Sequence, residues 1–196
     1  ADIDALRAFH RRTGRQYGAV SLASLGATFL NDVVRGPGDT LYVTDTGIRF
    51  DANGTMSRPG PNRVYAIAGR TPSVAVEAEI LAGPNGLAWD SAGRRLLVAP
   101  FNGPTLLAWS PGGAAPNPRR LAAGPGSFDG LVRLDDGRLL VTSWADSSVY
   151  AVRADTAMSR LITGVEAPAD LGYDARRGRV LVPLFNENRV VVYELR

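Results

Sequence analysis

Asparagine and aspartate recur in four similar stretches of this sequence, where their side-chain oxygens could act together. Asn31, Asn85, Asp129 and Asp170 each precede a short apolar run, a glycine-containing turn and a second apolar run. Hard cations such as Ca²⁺ prefer carboxylate, amide and water oxygens, so a fold that gathers these residues would form a cation site. The absence of cysteine and the single histidine disfavour zinc and copper.

The spacing of these residues predicts the elements that carry them. The steps between successive markers are 54, 44 and 41 residues, and steps near 40–45 are typical of a four-stranded propeller blade. The second runs are almost continuously apolar, which favours strands buried on both faces. The third runs (62–68, 104–110, 147–153 and 188–195) alternate apolar and polar residues, which indicates outer strands with one solvated face. Fourth strands are predicted at 73–81, 117–123 and 158–165.

The sequence therefore predicts an all-β chain, a single β-propeller portion over 1–196. Complete blades are expected at 29–81, 83–123 and 127–165, a three-stranded last blade at 168–196, and the outer strands of a partial blade at 1–23. This arc of three full and two partial blades would be open. We expect an upstream segment or self-association to close it, because an open arc exposes apolar blade faces.

The four markers stand at the starts of the innermost strands, which converge on the mouth of the central channel in a propeller. Asp45, Phe101, Trp144 and Phe185 end second strands near the same face and could line a pocket. Packing between blades is the alternative role for the aromatic residues. An Asn or Asp before Gly is also common turn chemistry. The long segment 47–62 accounts for the 54-residue step and forms either a lid or an ordinary surface loop.

Composition excludes several functions. The formal charge of +3 comes from arginine alone and is scattered, so no nucleic-acid surface is expected. No apolar run approaches the length of a membrane span, and no phosphate-binding loop or nucleophile elbow is present. No signal peptide opens the chain, which leaves periplasmic, secreted and cytoplasmic locations open.

The chain resembles the bacterial members of the gluconolactonase / regucalcin (senescence marker protein) family of six-bladed propellers. The resemblance covers essentially the whole chain, aligned to about the C-terminal two-thirds of such a protein. It rests on four motifs in order, namely FLND (29–32), PNGLAWD (84–90), FDGL with DDGRLLVTSW (128–144), and PADLGYD with VLVPLF (168–185).

The resemblance implies roles for particular residues. Asn85 and Asp129 match metal ligands, Asp129 also matches the general base, and Asn31 matches a residue beside the substrate. A glutamate ligand of the family would lie upstream of this chain. The sugar lactonases tend to carry an arginine where Phe29 stands, so a less polar ligand is expected here. Asp170 matches no family ligand and is expected only to line the channel.

The leading hypothesis is a Ca²⁺-dependent hydrolase of a lactone or related cyclic ester. Mg²⁺, Mn²⁺ and Zn²⁺ are less favoured as the cation. The substrate would contact Asn31, Phe29 and Trp144. The sequence leaves open whether the protein is an enzyme, and the second hypothesis is a non-catalytic propeller that binds a ligand or protein at the channel mouth. A structural fragment or a strictosidine-synthase-like condensation also stays open.

Overall fold

The structure is a computed structural model that describes residues 1–114, 117–153 and 157–195. The strands of its first half are β1 (Ala5–Phe9), β2 (Gln16–Ser21), β3 (Leu30–Arg35), β4 (Leu41–Asp45), β5 (Arg49–Phe50), β6 (Met56–Ser57), β7 (Arg63–Ala68), β8 (Thr71–Glu77), β9 (Pro84–Asp90) and β10 (Arg95–Pro100). Those that follow are β11 (Thr105–Trp109), β12 (Arg119–Ala123), β13 (Phe128–Arg133), β14 (Leu139–Ser143), β15 (Ser148–Val152), β16 (Ser159–Thr163), β17 (Gly172–Asp174), β18 (Arg179–Leu184) and β19 (Arg189–Glu194). The helices are short 3₁₀ turns at Ala23–Leu25, Pro37–Asp39, Glu79–Leu81 and Phe185–Glu187. In the described ranges, no helix has the length and apolarity that a membrane crossing requires.

The strands form successive antiparallel sheets, as in a propeller. We call the three four-stranded sheets blade A (β3, β4, β7, β8), blade B (β9 to β12) and blade C (β13 to β16). The pair β1–β2 is the first partial blade, and β17–β18–β19 is the last partial blade. The prediction of an all-β, incomplete β-propeller is confirmed.

Four apolar clusters join the sheets, and each lies between two neighbouring sheets. In β10, Leu96 and Val98 pack toward blade A, whereas Leu97 and Ala99 pack toward blade C. All four residues expose at most 2% of their surface. The continuous apolar pattern of the second strands thus reflects burial on both faces.

Two local predictions need correction. The strand predicted over 73–81 ends at Glu77, and Glu79–Leu81 forms a 3₁₀ turn that ends where Ala82 adopts the left-handed conformation. The third strands were expected to keep one solvated face, but β11 and β15 are buried along almost their whole length. In the β9–β10 turn Arg94 adopts a positive φ of 49°, and a β carbon at Gly93 would lie 2.6 Å from the Asp90 carboxylate.

Candidate functional site

Each innermost strand of the three complete blades carries a β-bulge where the sequence markers lie. In each bulge two residues oppose one residue of the second strand, and such bulges re-aim side chains and recur beside active sites. The pairs are residues 31–32 opposite Thr44, 85–86 opposite Ala99, and 129–130 opposite Thr142.

Threonine hydroxyls link two of these bulges to the next sheet. Thr44 Oγ1 accepts a hydrogen bond from the Asp32 amide (3.0 Å) and donates to the Asn85 carbonyl (2.7 Å). Thr142 Oγ1 accepts from the Gly130 amide (2.7 Å) and donates to the Ala169 carbonyl (3.0 Å). The hydroxyls satisfy backbone groups that the bulges remove from the ladder, and they fix the spacing between sheets.

Glycines allow the inner strands to meet backbone to backbone. A β carbon at Gly86 would lie closer than 3 Å to the carbonyl oxygen of Asp129, and one at Gly130 would lie 2.7 Å from the Cα of Asp170. The glycine after each of Asn85 and Asp129 is therefore a requirement of packing. The close backbone contact places Asn85 and Asp129 on neighbouring strands, at the same end of their sheets.

Asn31 and Asn85 have different surroundings. The Asn31 side-chain amide donates to Thr46 Oγ1 at 3.2 Å, so it is held by its own blade. Asn85 is 6% exposed, and its side chain forms no hydrogen bond with any residue in the described ranges. The amide atoms of Asn85 are not among the fully buried, unpartnered side-chain atoms of the described residues, so the small exposed part of this residue leaves its amide open to a ligand.

Asp32 is a site residue that the sequence reasoning missed. It occupies the bulge position that Gly86 and Gly130 hold in blades B and C. Its carboxylate accepts hydrogen bonds from the amides of Leu87 and Val33, both at 2.6 Å, and the first of these crosses to blade B. The signal in the sequence was a carboxylate where the other repeats carry glycine.

Three carboxylates influence one another at this end of the inner strands. The pKa of Asp32 is raised to about 7, chiefly by burial and also by the charges of Asp170 and Asp129, against hydrogen bonds from the Leu87 and Val33 amides that lower it. Burial also raises the pKa of Asp129 to about 7, with Asp170 adding to the effect. Burial raises the pKa of Asp170 as well, although this residue is the most exposed of the three. In the described part of the chain none of them pairs with an arginine.

Trp144 lies beside Asp129 within a row of aromatic rings. Its ring centroid is 5.7 Å from that of Phe101 and 5.5 Å from that of Phe185. The indole N–H points close enough to the Asp129 carboxylate to lower its pKa. The distance and angles nevertheless fall short of an ordinary hydrogen bond with any residue in the described ranges. These rings contact one another across three successive sheets, as the alternative of packing between blades predicts, although Phe185 remains 67% exposed.

The segment 47–62 contains a small hairpin, β5–β6. Phe50 of this hairpin packs edge-on against Phe29, with ring centroids 5.9 Å apart, while remaining 53% exposed. Arg58 donates to the side-chain oxygen of Asn102 at 3.0 Å, which attaches the segment to blade B. Phe29 thus contacts the hairpin that follows β4.

Asp45 does not line a pocket, because it is 1% exposed. Its carboxylate accepts hydrogen bonds from the amides of Thr28, Phe29 and Gly47 and from the Thr28 hydroxyl. It therefore holds the chain that leads into β3 and the base of the hairpin segment.

The bulges present oxygen atoms as possible metal ligands. No group of three His, Cys, Asp or Glu side chains within the described ranges is arranged to hold an ion. Asn85 and Asp129 nevertheless offer oxygen ligands near a surplus of negative charge, which fits a hard cation such as Ca²⁺. These two residues alone would leave a coordination shell incomplete.

The fold and this end of the inner strands define the chain as part of a β-propeller. No protein-family model and no curated protein matches the sequence. Solved structures do match. A provisionally assigned gluconolactonase has a TM-score of 0.76 at 20% identity, covering 98% of this chain and 68% of that one. A gluconolactonase from Xanthomonas campestris has a TM-score of 0.67 at 17% identity, covering 88% and 60%.

Two further propeller structures are similar to this chain. Regucalcin from Agrobacterium tumefaciens, described as a calcium-binding protein, has a TM-score of 0.72 at 17% identity, covering 93% of this chain and 62% of that one. A chain of a nidogen/laminin complex has a TM-score of 0.71 at 17% identity, covering 99% and 76%. The resemblance to gluconolactonase and regucalcin structures is confirmed at the level of fold, and the chain spans about two-thirds of their length.

Proposed function

We propose that this propeller portion carries part of the active site of a divalent-metal-dependent hydrolase of a lactone or related cyclic ester. Asn85 and Asp129 would hold the cation, with Ca²⁺ the first candidate and Mg²⁺, Mn²⁺ and Zn²⁺ less favoured. One observation carries the proposal: neighbouring bulges of β9 and β13 present an amide and a carboxylate that form no hydrogen bond of ordinary geometry with the described residues.

The side chains around this pair suit the proposed chemistry. A bound divalent cation would polarise the ester carbonyl. Asp129, with a pKa of about 7, would be a general base matched to neutral pH and would accept a proton from water. The carboxylates of Asp32 and Asp170 add negative charge that favours a cation. Asn31, Phe29 and Trp144 would contact the substrate, with the two aromatic rings against its apolar part.

The test compares Asp129→Asn with Asp135→Asn in the full-length protein. Asp135 is an exposed carboxylate in the β13–β14 turn and serves as the matched control. Hydrolysis of a panel of γ- and δ-lactones is followed by pH-stat titration, with CaCl₂ or with a chelator. We expect Asp129→Asn to lose about 10²–10⁴-fold in rate and the control to lose nothing.

Calcium binding is measured separately from turnover. CaCl₂ should raise the thermal unfolding midpoint of the wild type and of Asp135→Asn, but not that of Asp129→Asn, because a ligand that binds only the folded state stabilises it. Equal lactone hydrolysis by the wild type and Asp129→Asn would contradict the proposed base. An absent calcium shift in the wild type would contradict the proposed metal site.

A non-catalytic binding propeller is the second candidate. The exposed rings of Phe50 and Phe185 favour it, as does the similarity to a chain of the nidogen/laminin complex. Large exposed aromatic side chains are common at binding surfaces. This function predicts no hydrolysis of any lactone in the panel and no dependence of ligand binding on Asp129.

A further inference from the structure

A cavity lies at the end of the sheets opposite the bulges. It has a volume of about 400 Å³ and lies between blades B and C. Four arginines stand on its wall (Arg95, Arg133, Arg138 and Arg153), and its apolar part comes from Leu97, Leu121 and Leu139. A cavity of this size suits a small organic ligand.

The cavity is separate from the proposed metal site. Asp90, on its wall, is the last residue of β9, five residues beyond Asn85. At about 3.3 Å per residue of strand, the two positions lie roughly 17 Å apart. A ligand in this cavity would therefore be independent of the proposed hydrolase function.

Three of the arginines share two carboxylates. Arg95 Nε lies 2.9 Å from Asp90 Oδ2, and Arg133 Nε lies 3.3 Å from Asp90 Oδ1, so this second pair crosses between the blades. Arg138 Nε contacts Asp136 Oδ2 at 2.6 Å. Three positive charges thus face two negative ones, which leaves the cavity wall with an excess of positive charge.

The geometry of these pairs leaves the terminal nitrogens uncommitted. Arg95, Arg133 and Arg138 each meet a carboxylate through Nε, and their Nη groups form no hydrogen bond with residues in the described ranges. Their side chains are only 17–27% exposed. The ion pairs to Asp90 orient two of the guanidinium groups in advance, which reduces the entropy lost on binding an anion.

We propose that this cavity binds an organic oxyanion, a small molecule with a phosphate or carboxylate group on an apolar body. The Nη groups of Arg95, Arg133 and Arg138 would donate to the oxyanion, since guanidinium groups match both anions in charge and geometry. The apolar body would pack against Leu97, Leu121 and Leu139.

The experiment measures binding of inorganic phosphate, hexyl phosphate and hexanoate to the full-length protein at fixed ionic strength, by isothermal titration calorimetry and thermal unfolding. At ten times the dissociation constant a ligand should raise the midpoint by about 3–6 °C. Hexyl phosphate should bind at least about tenfold more tightly than inorganic phosphate, because two buried methylene groups account for that factor. Tighter binding of hexyl phosphate or of hexanoate identifies the preferred oxyanion.

Arg133→Gln and Arg138→Gln should each weaken binding by about tenfold or more, whereas Arg177→Gln should leave it unchanged. Arg177 is the matched control, an arginine that pairs with an aspartate in the β17–β18 turn. Calorimetry at 20 °C keeps the test valid if a variant melts earlier. The proposal is overturned if no probe saturates the wild type, or if all three variants bind as the wild type does.

Discussion

Replacing Asp45 by asparagine tests how the chain before β3 is held. The carboxylate is almost fully buried and receives three backbone amides, the Thr28 hydroxyl and, at 3.4 Å, the Tyr65 hydroxyl. Asparagine has the same shape but only one acceptor oxygen. If that oxygen takes the position of Oδ1, the new NH₂ group faces the Thr28 amide, and two donors then oppose each other.

The cost follows from this geometry. An unsatisfied buried N–H costs about 1–3 kcal/mol, and the bonds to the remaining oxygen lose their charge-assisted strength. Relief from burying a charge offsets part of this loss. We expect a net loss of about 3 kcal/mol, which for a domain of this size lowers the melting temperature by about 6–12 °C.

The assay is thermal and urea unfolding of wild type, Asp45→Asn and Asp135→Asn at one pH. Asp135→Asn should melt within about 1 °C of the wild type, since exposed substitutions away from special features have small effects. If Asp45→Asn also melted within 1 °C of the wild type, the role assigned to the buried carboxylate would be refuted.

Two further predictions concern the bulges. The free energy of unfolding should fall as the pH rises from about 4 to about 7, because folded Asp32 and Asp129 hold protons that unfolded carboxyls, with a pKa of 3.8, have already released. Between pH 3 and pH 8 the free energy of unfolding of the wild type should therefore fall by about 4 kcal/mol relative to that of Asp32→Asn, from about 3 pKa units at ~1.4 kcal/mol each, and parallel pH–stability curves would contradict this. Gly86→Ala should lose more than about 3 kcal/mol in urea unfolding. Gly172→Ala, with no atom closer than 3.8 Å to the new carbon, should lose less than about 1 kcal/mol, and equal losses would refute the close strand contact.

The repeat was readable from the sequence because it reflects local chemistry. Continuously apolar second strands and recurring turns predicted the sheets. The solvated face expected for the third strands is wrong in blades B and C, because β11 and β15 are buried almost throughout and β11 packs toward both neighbouring blades. The placement of Asn85 and Asp129 at equivalent bulges of neighbouring inner strands could be anticipated for the same reason, since both positions belong to the repeat.

The β-bulges determine which contacts each of two adjacent residues makes, and no local sequence pattern predicts a bulge. Asn31 and Asp32 are adjacent, and sequence reasoning chose the first as the site residue. Because both residues lie opposite the single residue Thr44 of β4, neither follows the ordinary alternation of side chains between the two faces of a strand. Asn31 then bonds within its own blade, while Asp32 reaches the next.

The burial of individual side chains and their long-range partners also depend on the folded chain, so local patterns could not predict them. Asp45 and Phe185 both end second strands, yet one is buried beneath backbone amides and the other is exposed in the last partial blade. The arginine cavity joins turns of two blades about 40 residues apart, through the pair between Arg133 and Asp90. The sheets and their order along the chain could be predicted because periodicity is a local property of the sequence. The contacts between sheets depend on the directions in which the side chains at each bulge and turn point toward the neighbouring blade. These directions are set only when the chain has folded.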